Sequence, residues 1–192
     1  MRIVAGRFRG LKLEGGEGQG IRPTADRTRE GLFNIIAHGS DWRGPEGPAP
    51  AGLSVLDAFA GSGALGLEAL SRGASALTFI ENSETSIKIL KSNISKARST
   101  DQTSVVRADA TRPGRARRAH DLVLMDPPYG QQLAERSLPA LADGGWLKPG
   151  CGIIVETDAK DGLEWPDGFT GLDTRRYGRA VLHFGQWTGG AD

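Results

Sequence analysis

The stretch from Leu53 to Gly66, LSVLDAFAGSGALG, constrains this chain more than any other. Val55, Leu56, Ala58 and Phe59 make a short apolar run, interrupted by Asp57, of the kind found in a central parallel strand covered on both faces. Gly61, Gly63 and Gly66 follow at the G-x-G-x-x-G spacing. Glycine at these positions permits a tight turn, close approach of the backbone to a ligand, and close packing of helix on strand. The expected product is a strand, a turn and a helix whose N-terminus receives an adenosine-containing cofactor. Glu81 closes the next apolar run, Ala76 to Ile80, and lies 20 residues after Gly61. At that distance an acidic residue at a strand tip meets ribose hydroxyls. The pattern does not choose between a nicotinamide cofactor and S-adenosylmethionine.

A chain of 192 residues holds one domain with a full core and leaves room for a small appendage. We expect a basic arm over residues 1–20 and a main domain over residues 21–192. No apolar run approaches the roughly 18 residues of a membrane span. The opening MRIVAGRFRG lacks the apolar core of a signal peptide, so a cytoplasmic location and no membrane partner are the expectation. The single cysteine, Cys151, begins an apolar run and reads as a small core residue. His38, His120 and His183 lie far apart without second ligands at metal spacing, so no metal is expected.

Net charge is only +1, but the charges are unevenly spread. Seven basic residues (Arg2, Arg7, Arg9, Lys12, Arg22, Arg27, Arg29) face three acidic ones between Met1 and Arg29. Arg107, Arg112, Arg115, Arg117 and Arg118 form a second cluster, opposed only by Asp109. Arginine-rich, glycine-spaced segments suit phosphate contacts, although the same runs also serve as solvated surface.

Residues 2–13 alternate loosely, with Gly6 and Gly10 as turn points, and predict a small hairpin. A helix follows Arg22-Pro23-Thr24, with Thr24 as N-cap, and Gly39 to Gly52 reads as a linker. Strand and helix then alternate. Helix is expected over about 64–72, strand over 76–81, and a helix capped by Asn82 to about Arg98. Strands at 103–107 and 121–125 follow, then a helix over about 131–141 in which Pro139 disturbs the last turn. A strand at 151–156 and an antiparallel pair at 171–177 and 180–184 close the chain. The alternation implies an α/β fold with a doubly wound, mostly parallel sheet.

Ligands of such sheets bind beyond the carboxyl ends of the strands, which gathers Asp57, Glu81, Asp109 and Asp126-Pro127-Pro128-Tyr129 on one rim. The tetrapeptide is the most specific signal in the chain. Two prolines fix the backbone and remove two N–H donors, so local carbonyls point outward beside a carboxylate. An aromatic ring follows at once. Such a turn can hold a planar base with an exocyclic amine: carboxylate and carbonyl accept the amine hydrogens while Tyr129 stacks on the ring.

The AFAGSGALG turn, Glu81, Asp109 and Asp-Pro-Pro-Tyr together resemble the motif series of class I S-adenosylmethionine-dependent amino-methyltransferases. With RIVAGRFRG and RPTADRTREGLFNII added, the chain from Arg2 to about Phe184 resembles the RsmD family, bacterial enzymes that methylate guanine N2 in small-subunit (16S) ribosomal RNA. The resemblance implies a Rossmann-like, seven-stranded sheet and S-adenosyl-L-methionine as cofactor. Cofactor-binding positions would be Asp57, Phe59, Ala60, Gly61, Ser62, Gly63, Glu81, Asn82, Asp109 and Ala110. Asp126, Pro127, Pro128 and Tyr129 would act on the guanine. Arg2, Arg7, Arg9, Lys12, Arg22, Arg27, Arg115 and Arg117 would meet the RNA, within a small-subunit assembly particle.

Other readings share parts of this pattern. A DNA adenine or cytosine amino-methyltransferase usually adds a recognition domain, and a protein glutamine N-methyltransferase usually begins the tetrapeptide with asparagine. A nicotinamide-dependent oxidoreductase leaves Asp-Pro-Pro-Tyr unexplained. A non-catalytic RNA-binding module would not need the acidic rim.

Overall fold

The computed structural model describes residues 1–15, 23–39 and 43–189. Helix α1 (Pro23–His38) and a two-residue ladder of β1 (Arg43–Gly44) with β2 (Gly47–Pro48) precede the main alternation. That alternation runs β3 (Ser54–Ala58), α2 (Ala64–Ser71), β4 (Ala76–Glu81), α3 (Glu84–Lys96), β5 (Thr103–Arg107), β6 (His120–Met125), α4 (Leu133–Asp143), β7 (Leu147–Asp158), β8 (Phe169–Tyr177) and β9 (Ala180–Trp187). A 3-10 turn at Thr100–Gln102 leads into β5.

Seven strands form one sheet in the order β5-β4-β3-β6-β7-β9-β8. The first five are parallel, and β9 joins β7 antiparallel, as does β8 to β9. The chain reverses direction in the strand order between β3 and β6, where open α/β sheets place their ligands. Alternate residues of each strand feed two cores. Val55, Leu77, Phe79 and Leu124 pack with Leu32, Phe33, Leu67 and Leu90 on the face of α1, α2 and α3. Leu56, Ile80, Val123 and Met125 pack with Leu138, Leu141 and Trp146 on the face of α4.

The predicted N-terminal hairpin is instead a turn-rich loop closed by a single antiparallel bridge, Arg2↔Lys12. The reason lies in its donors. Val4 and Ala5 donate their N–H groups to the Glu68 carboxylate at 2.7 and 3.0 Å, while Arg7 N–H goes to Ser71 O and Phe8 N–H to Ser71 Oγ. With these groups committed to α2, cross-strand pairing is confined to the base of the loop, where Ile3 N–H donates to Leu11 O, Gly10 N–H to Ile3 O and Leu13 N–H to Met1 O. Ile3 and Leu13 enter the main core with 0% and 7% exposure, so the loop is sewn onto the domain. Glu68 itself is fully buried and also meets Arg72 Nε at 2.8 Å and Arg29 Nε at 3.5 Å.

Two further expectations change in detail. Helix α3 is capped one residue after the expected Asn82, by Ser83, whose side chain accepts from Ser86 N–H. Helix α4 runs through Pro139 to Asp143, its buried face of Ala134, Leu138 and Leu141 outweighing the backbone bond that proline removes. Arg22 and the predicted cap side chain of Thr24 lie outside the described residues.

Candidate active site

The chain leaves β3 through Phe59 at φ 72, a left-handed conformation that costs a side-chain-bearing residue about 1–2 kcal/mol. Phe59 and Ala60 both donate N–H groups to Ile80 O at 3.1 and 3.0 Å, which ties the strained turn to the end of β4. The three glycines then answer different needs. A Cβ on Gly63 would stand 2.3 Å from Leu90 Cδ1, and one on Gly66 would stand 2.7 Å from Phe79 and 2.9 Å from Asp57 Oδ2. Both are required for packing. A Cβ on Gly61, by contrast, would meet nothing within 4 Å and would occupy the open space above the turn.

Two carboxylates fasten this turn. Glu81, only 9% exposed, accepts Gly61 N–H on one oxygen at 2.7 Å, and Asn82 and Ser83 N–H on the other at 2.9 and 2.8 Å. Asp57, 2% exposed, accepts Gly66 N–H at 2.8 Å from beneath the helix. Burial pushes its carboxyl up to about 7, and the charges of Asp126 and Glu81 add to the rise. Asp57 thus secures the turn from below through one of its two carboxylate oxygens. Ser62 O and Glu14 O accept from the fully buried Asn93 amide at 2.9 and 3.0 Å. Asp109, exposed beyond β5, accepts Thr111 N–H and Thr111 Oγ–H, both at 2.8 Å, and these bonds hold its carboxyl below the usual range. Ala110 beside it is buried.

Strand β6 delivers Asp126 next to this turn, since Ala58 is paired with Met125 in the sheet. Pro127 is buried, whereas Asp126, Pro128 and Tyr129 are exposed. Although Asp126 touches solvent, desolvation by the surrounding elements raises its carboxyl above the ordinary aspartate range. Tyr129 presents 48% of its surface, an unusual exposure for an aromatic ring.

Glu156 was not among the residues singled out from the sequence. The register Met125↔Val155 makes it the neighbour of Asp126 across β6 and β7. It accepts a hydrogen bond from Tyr129 Oη at 3.4 Å. Burial raises its carboxyl, the Asp126 charge raises it further, and Arg29 opposes the shift. Four acids, Asp57, Glu81, Asp126 and Glu156, therefore share one electrostatic neighbourhood. The signal that could have found Glu156 is its place at the carboxyl end of an apolar run, legible only once β7 is known to lie beside β6.

The basic clusters lie elsewhere. Arg7 Nη2 donates to Gln102 Oε1 and Arg7 N–H is bound to Ser71 O, both at the amino ends of the strands. Arg115 Nη1 reaches Asp143 O, at the end of α4 on the same edge. Arg2, Arg9, Lys12 and Arg117 are exposed, Arg2 and Lys12 as the bridge pair of the N-terminal loop. Arg7 and Arg115 thus stand at the opposite edge of the sheet from Asp126, roughly 15–20 Å away given about 3.3 Å per residue along strands of five or six. Arg27 is exposed on α1, two residues from Arg29.

Comparison with known proteins agrees with this geometry. The family described as Conserved hypothetical protein 95 matches residues 1–186. Ribosomal RNA small subunit methyltransferase D of Haemophilus influenzae is 37% identical over 182 residues, covering 93% of this chain and 89% of that protein. The protein of the same name from Escherichia coli is 37% identical over 163 residues, covering 85% and 77%. Among solved structures, Escherichia coli yhhF superposes with a TM-score of 0.81 at 34% identity, covering 97% of each chain. Thermus thermophilus TrmN, at 22% identity and a TM-score of 0.68, shares the fold over 88% of this chain and 50% of its own. The family match over residues 1–186, with 37% identity to ribosomal RNA small subunit methyltransferase D over most of both chains, places this chain in the RsmD family of ribosomal RNA small subunit methyltransferases.

Proposed function

We propose that the protein transfers a methyl group from S-adenosyl-L-methionine to the exocyclic N2 amine of a guanine in small-subunit ribosomal RNA, in the cytoplasm and within an assembling particle. The observation that carries this reading is the pairing of a ligand-ready glycine turn with Asp126 and Tyr129 on the adjacent strand end. The residues fit the cofactor. Gly61 leaves open the space its side chain would fill, and the Glu81 carboxylate keeps lone pairs beyond its three backbone donors. When bound, S-adenosylmethionine supplies an electrophilic methyl on a cationic sulfur, a charge suited to a rim of acids.

Phe59, Ala60, Gly61, Ser62 and Gly63 would line the methionine side, Glu81 and Asn82 the ribose, and Asp109 and Ala110 the adenine. Asp126 and the carbonyls around Pro127 and Pro128 accept the hydrogens of the guanine amine, aim its lone pair, and stabilise the positive charge that develops on nitrogen. The proton then leaves to water, because the methylated amine is acidic at that stage. Tyr129 stacks on the base, which must be unpaired or flipped to be reached. Phosphates of the surrounding RNA are met by Arg27 on α1 and, where the RNA extends round the sheet, by Arg2, Arg7, Arg9, Lys12, Arg115 and Arg117.

Transfer of labelled methyl to unmodified 16S ribosomal RNA, with nucleoside analysis, tests the assignment. N2-methylguanosine as the labelled product is expected. Label appearing in DNA or in protein glutamine, or binding of NAD in place of S-adenosylhomocysteine by calorimetry, overturns it.

A further inference from the structure

The placement of Glu156 beside Asp126 and Tyr129 has chemistry of its own. Pro127, Pro128 and Tyr129, directly after Asp126, line a cavity of about 500 Å³ together with Gly130, Glu156 and Asp161, a volume in the range of small-molecule sites. Glu156 reaches it from β7, held at one oxygen by Tyr129 Oη. Gly130 N–H is fastened to Asp161 Oδ2 at 2.8 Å, which braces the loop after the tetrapeptide against the segment after β7. The two carboxyls thus stand on adjacent strand ends, a spacing of about 4.8 Å between strands.

A guanine presented to Asp126 by its N2 amine carries a second donor, N1–H, next to that amine on the same edge. Adenine and 2-aminopurine offer a lone pair at N1 instead. We propose that Glu156 is a specificity-determining residue that accepts the N1–H of the target guanine while Asp126 accepts from the N2 amine. The inference rests on the guanine reading above and deepens it. Two carboxyls on adjacent strand ends repel one another: desolvation raises both, and the Asp126 charge raises Glu156 further. Two N–H donors arriving together relieve that repulsion and favour the ionised forms. Where Glu156 is ionised, above the value of about 8 to which burial and Asp126 push it, a base with a lone pair at N1 brings no donor to it and leaves a desolvated carboxylate facing another acceptor, which is how a polar site rejects an analogue strongly. Tyr129 contributes twice, by its ring face to the base and by its hydroxyl to the orientation of Glu156.

The test compares guanine with 2-aminopurine, which keeps the N2 amine but has an acceptor at N1, at the target position of an RNA substrate. Wild type and Glu156→Gln are assayed for kcat/KM on both, with S-adenosylhomocysteine affinity as the check that the variant is folded. The glutamine amide can donate where the carboxylate only accepts. The expected result is a guanine preference that falls by about tenfold or more in Glu156→Gln, with cofactor affinity unchanged. Glu156→Asp, a shorter acceptor, should lose rate but keep the preference for guanine. An equal loss on both bases, or no loss on either, overturns the inference, since a structural role would not move the ratio. If the wild type methylates no guanine at all, the functional reading fails and this inference with it; if it does and the ratio stays fixed, only Glu156 is removed.

Discussion

The two halves of the rim are built on opposite terms. On the side proposed for the cofactor, at the ends of β3 and β4, the Glu81 carboxylate accepts three backbone N–H groups and Asp57 a fourth. That half is fastened by its own backbone. On the side proposed for the substrate, at the ends of β6 and β7, Asp126 and Glu156 stand on adjacent strands, Glu156 accepts from the Tyr129 hydroxyl, and both carboxyls are raised. The first half commits its polar groups to its own geometry, and the second leaves them for a substrate. The difference teaches where stability and activity should separate in mutants.

The largest expected effect is on chemistry. Asp126→Ala should retain S-adenosylhomocysteine binding while the single-turnover methylation rate drops by about 10²-fold or more, the scale of losing one stabiliser of transition-state charge. Near-parental methylation would return the tetrapeptide to a rigid turn and erase the contrast.

Glu81→Ala breaks the other half. The loss of several charge-assisted bonds to the turn, at about 1.5–3 kcal/mol for such a group, should weaken cofactor binding by roughly 10–100-fold and lower Tm. Calorimetry and thermal melts check both, and a variant that loses rate but keeps cofactor affinity would contradict the assignment of this half.

The glycines sharpen the comparison. Gly63→Ala puts a methyl 2.3 Å from Leu90 and should cost stability, whereas Gly61→Ala meets only open space and should chiefly impair the cofactor. Both also bear the left-handed backbone penalty, φ 80 and 53, of about 1 kcal/mol. Melts with and without S-adenosylhomocysteine separate the two effects.

Charge removal gives a sign test. A carboxyl raised in the folded state binds its proton more tightly there than in the unfolded chain, so its contribution to stability is lost as pH rises through the folded value. Asp126→Asn should therefore melt above the parent at pH 8, with the gap closing as pH falls from about 6 to the usual aspartate value of 3.8. His120 runs the other way. Fully buried between Thr78 Oγ1 and Trp146 O, it is pushed by desolvation down to about 4, so its neutral form supports the fold above about pH 6.5 and that support is lost as pH falls toward 4. An Asp126→Asn melt that tracks the parent at every pH would show that the substrate rim stores no strain.

The smallest effect is expected from Arg7→Ala with Arg9→Ala. These cations sit on an exposed loop whose Arg7 lies at the far edge of the sheet, so methylation of a short target oligonucleotide should barely change. On long RNA the salt dependence should ease by roughly 0.7 in slope for each phosphate that is no longer neutralised. A large drop in rate on the short oligonucleotide would put this loop at the active site.

The strand, turn and helix from Leu53 to Gly66, Glu81 at the next strand tip, and the Asp126 to Tyr129 turn were legible in the amino-acid sequence, because their requirements are local. A glycine that must adopt positive φ, or two prolines that fix a turn, declare themselves within a few residues. The succession of strands and helices followed from the alternation of apolar runs, and the cap of α3 missed by one residue because Asn82 and Ser83 are both good cap residues and only the folded chain shows Ser83 accepting from Ser86 N–H. Three things waited for the tertiary structure. The N-terminal segment reads as a hairpin until its N–H groups find Glu68 and Ser71 on α2, acceptors more than 60 residues away. The basic clusters read as two segments suited to phosphate contacts or to solvated surface, and only the fold carries Arg7 and Arg115 to the edge opposite Asp126. Glu156 reads as one acid among many until the register of β6 with β7 sets it beside Asp126. Hydrogen-bond registry between distant strands leaves no mark on local composition, so only the folded sheet could bring that pair together.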